Sequence, residues 1–180
     1  MASKLEVNYK RVVLTGPEST GKTTLARQLA EEFNTLWIPE FAREYAKEIN
    51  NNFTYNDVLE VARIQLIQEI EIEDDINKIV FFDTSLIITK VWLDTVFHKV
   101  PKWLETQILF EEADLYLLCA PDIDWIPDPL RVNGGKKRVK LFERYMQELE
   151  NYGFNYRIIT GKGEDRLKAC IQYIKQELKL

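Results

Sequence analysis

Histidine is almost missing from this 180-residue chain, with His98 standing alone. A cluster of histidine ligands around a metal is therefore excluded. Cysteine is nearly as scarce. Cys119 and Cys170 lie far apart, each inside an apolar pattern, and read as buried thiols of a cytoplasmic protein rather than as a disulfide or a metal pair. A basic excess is lacking too: the net charge of −5 argues against a nucleic-acid-binding surface. No apolar run approaches membrane-spanning length, and Met1-Ala2-Ser3-Lys4-Leu5-Glu6 has no apolar stretch suited to a signal peptide, so no membrane association is expected. Internal repeats and low-complexity linkers are absent. What remains is an ordinary globular composition, 46% hydrophobic and 29% charged, in a length that suits a single domain over 1–180 with a sizeable core.

The glycines that are present mark the most informative stretch, Gly16-Pro17-Glu18-Ser19-Thr20-Gly21-Lys22-Thr23. It matches G-x-x-x-x-G-K-T at every fixed position, the spacing of a phosphate-binding loop. The apolar run Val12-Val13-Leu14 precedes it, and Leu25, Ala26, Leu29, Ala30 and Phe33 follow at helical spacing. Such an order turns successive main-chain N–H groups, from Glu18 through Thr24, around an anion at a helix N-terminus. Lys22 then reaches the β- and γ-phosphates of a nucleoside triphosphate, and the Thr23 hydroxyl ligates Mg²⁺. ATP and Mg²⁺ are the cofactors expected.

Four further apolar runs follow: Thr35–Ile38, Ile79–Phe82, Leu115–Cys119 and Tyr156–Ile159. Between them lie amphipathic segments, one opened by the capping pair Thr54 and Asp57 and carrying Val58, Val61, Ala62, Leu66 and Ile70. Another carries Leu167, Cys170, Ile171 and Ile174. Strands apolar on both faces and alternating with helices predict an α/β, three-layer fold, a five-stranded parallel sheet covered on both sides.

In such sheets ligands gather at the carboxyl ends of the strands. Asp83 directly follows the third run and there either serves the Mg²⁺ or the catalysis, or merely caps the next helix. Pro39-Glu40-Phe41-Ala42-Arg43-Glu44-Tyr45 follows the second run. Glu40 could take a proton from a substrate hydroxyl and Arg43 could steady phosphoryl charge, unless the two form only a surface pair. Residues 121–138 hold prolines, aspartates and Gly134-Gly135 without periodicity and read as a lid. Within it Arg131 is the expected catalytic cation, while Lys136, Lys137 and Arg138 read equally as a solvated helix start. Ser85 to Ala113 reads as a long helical segment.

Together these residues resemble the kinase domain of the NadR-type NAD-biosynthesis proteins, P-loop ribosylnicotinamide kinases grouped with small AAA-like ATPases. The resemblance rests on the loop at Gly16, the Pro39–Tyr45 segment, Asp83-Thr84 with Thr89 and Trp92, Pro101-Lys102-Trp103-Leu104, and Asp122-Ile123-Asp124-Trp125 with Asp128 and Arg131. It implies transfer of the ATP γ-phosphate to the 5′-hydroxyl of nicotinamide riboside, with Lys22, Glu40, Asp83 and Arg131 as catalytic residues. Either Glu40 or Asp83 would be the base. Glu40, Arg43, Tyr45, Trp92 and Trp125 would bind the nucleoside, an aromatic face attracting the cationic pyridinium ring. A lone histidine cannot supply the H-x-G-H signature of that family's adenylyltransferase domain, and no room is left for a DNA-binding head. Leu93 stands where the family tends to have a small polar residue. Another hydroxylated acceptor, or an NTPase switch signalling to a protein partner, are the competing readings. The sequence is compatible with a homo-oligomer.

Overall fold

The computed structural model describes residues 9–70, 72, 79–111, 113–127 and 134–180. Five strands, β1 (Lys10–Thr15), β2 (Trp37–Ile38), β3 (Ile79–Asp83), β4 (Leu115–Cys119) and β5 (Tyr156–Ile159), form one sheet in the order β2-β3-β1-β4-β5. All pairs are parallel; Val12 lies opposite Phe81 on one side and Leu115 on the other. Among the described residues seven α-helices surround it: α1 (Lys22–Glu32), α2 (Phe41–Glu48), α3 (Tyr55–Ile70), α4 (Leu86–Trp92), α5 (Lys102–Leu109), α6 (Lys136–Tyr152) and α7 (Gly163–Leu178). No helix among the described residues is long and apolar enough to cross a membrane.

Side-chain alternation along the strands builds two cores. Val12, Leu14, Phe81, Leu115 and Leu117 meet Leu25, Ala26, Leu29 and Ala30 of α1 and Cys170 and Ile174 of α7. Val13, Val80, Phe82, Tyr116 and Leu118 meet α3, α4, α5 and α6 through Val58, Ala62, Ile87, Leu104 and Leu149. Both cysteines are buried free thiols, as their apolar context predicts.

Three sequence expectations are corrected. The edge strand β5 is not covered on both sides: Arg157 and Ile158 are exposed, and Arg157 pairs with Glu177 of α7. The second strand is shorter than Thr35–Ile38: Thr35 N–H donates to the Ala30 carbonyl at 2.9 Å, closing α1, while its Oγ1 donates to the Ile79 carbonyl at 2.5 Å. The segment from Ser85 to Ala113 is broken. After Trp92 the helix widens into a π-helical turn, Leu93–Phe97, and ends at His98 with φ 51°. Pro101 then restarts it as α5, since a proline suits a helix start but not its interior. The Thr54–Asp57 capping pair does form: Asp57 N–H donates to Thr54 Oγ1 at 3.3 Å and Thr54 N–H to Asp57 Oδ2 at 2.8 Å.

Candidate active site

Because every strand runs the same way, Thr15, Ile38, Asp83, Cys119 and Ile159 end on one edge of the sheet. The glycine loop crosses that edge between β1 and α1. Gly16 has φ 133°, and a Cβ there would stand 2.6 Å from the Cys119 carbonyl oxygen, so only glycine fits. Gly21 caps α1 in the left-handed region at φ 73°. Thr20 Oγ1 donates to the Pro17 carbonyl at 2.8 Å, closing the turn, and Thr24 is exposed in the first turn of α1. Lys22 Nζ donates to the carbonyls of Gly16 and Pro17, both at 2.9 Å, which holds the ammonium over the loop mouth.

Asp83 is not the helix cap that its position also suggested. Ser85 caps α4, its Oγ accepting from Ile87 N–H, while Asp83 Oδ2 accepts the Thr23 hydroxyl at 2.5 Å. Oδ1 of the same carboxylate is buried without a partner. Thr84 sits at φ 96°, a conformation a β-branched residue rarely takes, and its N–H donates to the Leu14 carbonyl at 3.0 Å. Strain of this kind persists where neighbours over-determine the backbone.

Glu40 precedes α2 but its side chain does not cap that helix. It is held instead near the loop. Burial pushes its carboxyl up, the Lys22 ammonium pulls it down, and the carboxylates of Asp83 and Glu18 push it up again. Asp83 is likewise raised by burial and opposed by Lys22 and the Thr23 hydroxyl. Lys22, Thr23, Glu40 and Asp83 thus converge. Arg43 is exposed one turn along α2 and bears on both acids electrostatically.

Two tryptophans mark two different neighbourhoods. Trp92 meets Phe53 edge-to-face at 4.5 Å, and Phe53 meets Tyr45 at 6.0 Å, so an aromatic wall runs from α2 to the π-helical turn. The Tyr45 hydroxyl is fixed by Asp57 at 2.9 Å. Trp125 instead lies under the Arg138 guanidinium, 5.5 Å away, beside the loop. Arg131 and Asp128 lie outside the described residues.

Arg138 is the residue whose place the sequence concealed among three basic neighbours. It is buried, donating through Nη2 to the Ser19 carbonyl at 2.9 Å and through Nη1 to the Ile123 carbonyl at 3.1 Å. Ile126 N–H donates to Ser19 Oγ at 3.1 Å, so the loop rim is stitched to the segment at 121–127. Tyr145, buried on the same helix, has its hydroxyl held un-ionised by burial and by Glu18 and Glu40. A signal existed: Arg138 falls seven residues before Tyr145, in line with the helix's apolar stripe, where a merely solvated cation does not belong.

The sequence and the fold have known counterparts. The sequence matches the model of the AAA domain family over residues 11–166. The chain belongs to that family. The trifunctional NAD biosynthesis/regulator protein NadR of Salmonella typhimurium is 26% identical over 178 residues, 93% of this chain and 42% of the relative. The Escherichia coli protein of the same name is 25% identical over 175 residues, with the same two coverages. The chain therefore spans less than half the length of the curated relatives it matches. A solved structure of NadR in complex with NR superposes with TM-score 0.79 and 26% identity, over 96% of this chain and 52% of that one. Deoxyadenosine kinase from M. mycoides superposes at 0.66 over 92% and 98% of the two chains with 11% identity, a likeness of fold alone. The resemblance to NadR-type kinases thus holds over nearly the whole sequence, and the sheet is that of P-loop nucleoside kinases.

Proposed function

We propose that this chain is an ATP-dependent nucleoside kinase whose acceptor is the 5′-hydroxyl of nicotinamide riboside. The observation that carries the reading is the convergence of Lys22, Thr23, Asp83 and Glu40 on one glycine loop. Main-chain amides of Glu18 to Thr24 and the Lys22 ammonium bind the phosphates. The Thr23 hydroxyl and Asp83, with its partnerless buried oxygen, form an all-oxygen donor pair that fits Mg²⁺. When bound, the ion neutralises charge on the β- and γ-oxygens.

Asp83 is engaged by Thr23, which leaves Glu40 as the base. Burial keeps its proton affinity above that of an ordinary carboxylate, which suits it to accept the acceptor's hydroxyl proton as the phosphoryl group transfers. ADP and the nucleoside 5′-monophosphate are the products. A cationic pyridinium gains about 0.5–2 kcal/mol against an aromatic face, and Trp92 with Phe53 and Tyr45 offers that face. The segment at 121–127 and Arg138 close over the loop and exclude water, so that the phosphoryl group goes to the acceptor rather than to water.

The test is incubation of the pure protein with Mg-ATP and a nucleoside panel, with products identified by mass. Nicotinamide riboside is expected to gain one phosphoryl group. A different nucleoside phosphorylated in its place would refute the acceptor but keep the kinase. ATP turnover indifferent to every acceptor would refute the kinase and leave a nucleotide switch.

A further inference from the structure

One cation beside the glycine loop has no role in the chemistry above. Arg166 lies in the first turn of α7, 6% exposed. Its Nη1 makes a long 3.5 Å contact with the Gly161 carbonyl, while Nε and Nη2 are buried with no hydrogen-bond partner. No described carboxylate forms an ion pair with it. Its neighbours are instead parts of the loop and its support: Nη1 is 3.8 Å from where a Cβ on Gly21 would stand, and the guanidinium hydrogen-bonds the thiol of Cys119, the residue whose backbone carbonyl abuts Gly16.

A guanidinium carries a permanent charge and five N–H donors. Burying that charge without an anion costs several kcal/mol, and folding alone gains little from such a placement. The cost is recovered only when an anion arrives, and Gly21 at the N-terminus of α1 is where the main chain is arranged to receive one.

We propose that Arg166 is a phosphate-binding residue of the nucleotide site, supplying buried positive charge to the phosphate chain held at Gly21. The assignment rests on the site binding a nucleoside triphosphate and deepens that reading. It carries a signature that a structural arginine would lack. A structural arginine stabilises the ligand-free fold, whereas one buried without a counter-anion strains it.

The experiment compares wild type, Arg166→Met and Arg166→Lys by thermal unfolding without ligand, with Mg-ATP, and with inorganic tripolyphosphate. Arg166→Met is expected to melt at or above the wild-type temperature when ligand-free. It should lose at least about tenfold in affinity for both ATP and tripolyphosphate, the range of a charge-assisted contact of about 1.5–3 kcal/mol. Arg166→Lys should recover part of that affinity. A wild-type-like ATP shift in Arg166→Met overturns the proposal while leaving the nucleotide site intact. So does a loss confined to ATP, which would assign Arg166 to the base. If both variants melt far below wild type or fail to fold, the residue is structural and the proposal falls. No ATP shift in the wild type would sink the nucleotide reading and this proposal together.

Discussion

Lys22 stands where a single side chain decides turnover. Its ammonium already crosses the loop mouth to two carbonyls, so a γ-phosphate entering there meets a cation in place. Lys22→Ala should lower kcat at least about 100-fold with the melting temperature nearly unchanged, as expected when a preorganised charge is removed from the transition state. Retention of most of the rate would refute the assignment. Glu40 makes a pH-dependent claim. A base must be deprotonated to act, and burial raises Glu40, so activity should fall as pH drops through a value above the ordinary carboxylate range near ~4.3. In Glu40→Gln the rate should fall about 100-fold or more and the acid limb should change, read from kcat/KM against pH. An unaltered profile would move the base elsewhere. At this scale the loop was legible because its chemistry is contiguous: Gly16, Gly21, Lys22 and Thr23 act through main chain and near neighbours. Asp83 was legible only as an alternative, since a cap and a loop partner look alike until Ser85 is seen to cap α4. Phe53 and Tyr145 were not legible, for their neighbours are brought to them by folding.

Helix α6 spans the two sides of the site. Arg138 at its start holds Ser19 of the glycine loop. Further along, Glu148 is buried, accepting from Lys90 of α4 at 2.7 Å and pairing with Arg144 at 3.1 Å, while Arg144 reaches Asp94 of the π-helical turn at 2.7 Å. The same helix therefore touches the phosphate side and the wall that carries Trp92. Removing Glu148 would leave the Lys90 ammonium, 12% exposed, without its counter-charge. Glu148→Ala should cost about 3–5 kcal/mol of stability, measured by denaturant unfolding. A loss below about 1 kcal/mol would show the pair to be solvated. Arg138→Ala, by contrast, should act mainly on ATP. With Ser19 no longer tied to Ile123, the KM for ATP should rise about tenfold, for the loss of one or two charge-assisted bonds. An unchanged KM would return Arg138 to the role of a plain helix start. A start for α6 at Lys136–Arg138 followed from the sequence as one of two readings. The π-helical turn did not, because an added residue in a helical turn has no hydrophobic period of its own, and Pro101 alone hinted at the break.

The molecule has two ends, and only one of them carries the proposed chemistry. At the other, where the strands begin, Arg11 of β1 pairs with Glu69 of α3 at 2.9 Å, and Glu111 lies buried before β4. The alternation of apolar runs and helices made the layered sheet readable, since a parallel strand must be apolar on both faces. This cluster was not readable, because its three members come from distant segments and each looks like an ordinary surface charge. Burial, then repulsion by Glu69, raises the Glu111 carboxyl to about 8 from 4.5. The folded protein therefore holds a proton that the unfolded chain releases near 4.5. Between that value and about 8 the native state binds more protons than the unfolded one, so stability falls as pH rises and levels off above. Glu40 and Asp83 are also raised and tilt the curve the same way, so the informative quantity is a difference between proteins. Glu111→Gln keeps the size and hydrogen-bonding capacity of the protonated acid and cannot ionise. Calorimetric melting from pH 5 to pH 9 (about four units) should show the variant losing less stability than wild type, by a few kcal/mol at the alkaline end. Parallel curves would mean that Glu111 ionises freely in the fold, and that its burial is relieved by solvent at the lower edge of the sheet.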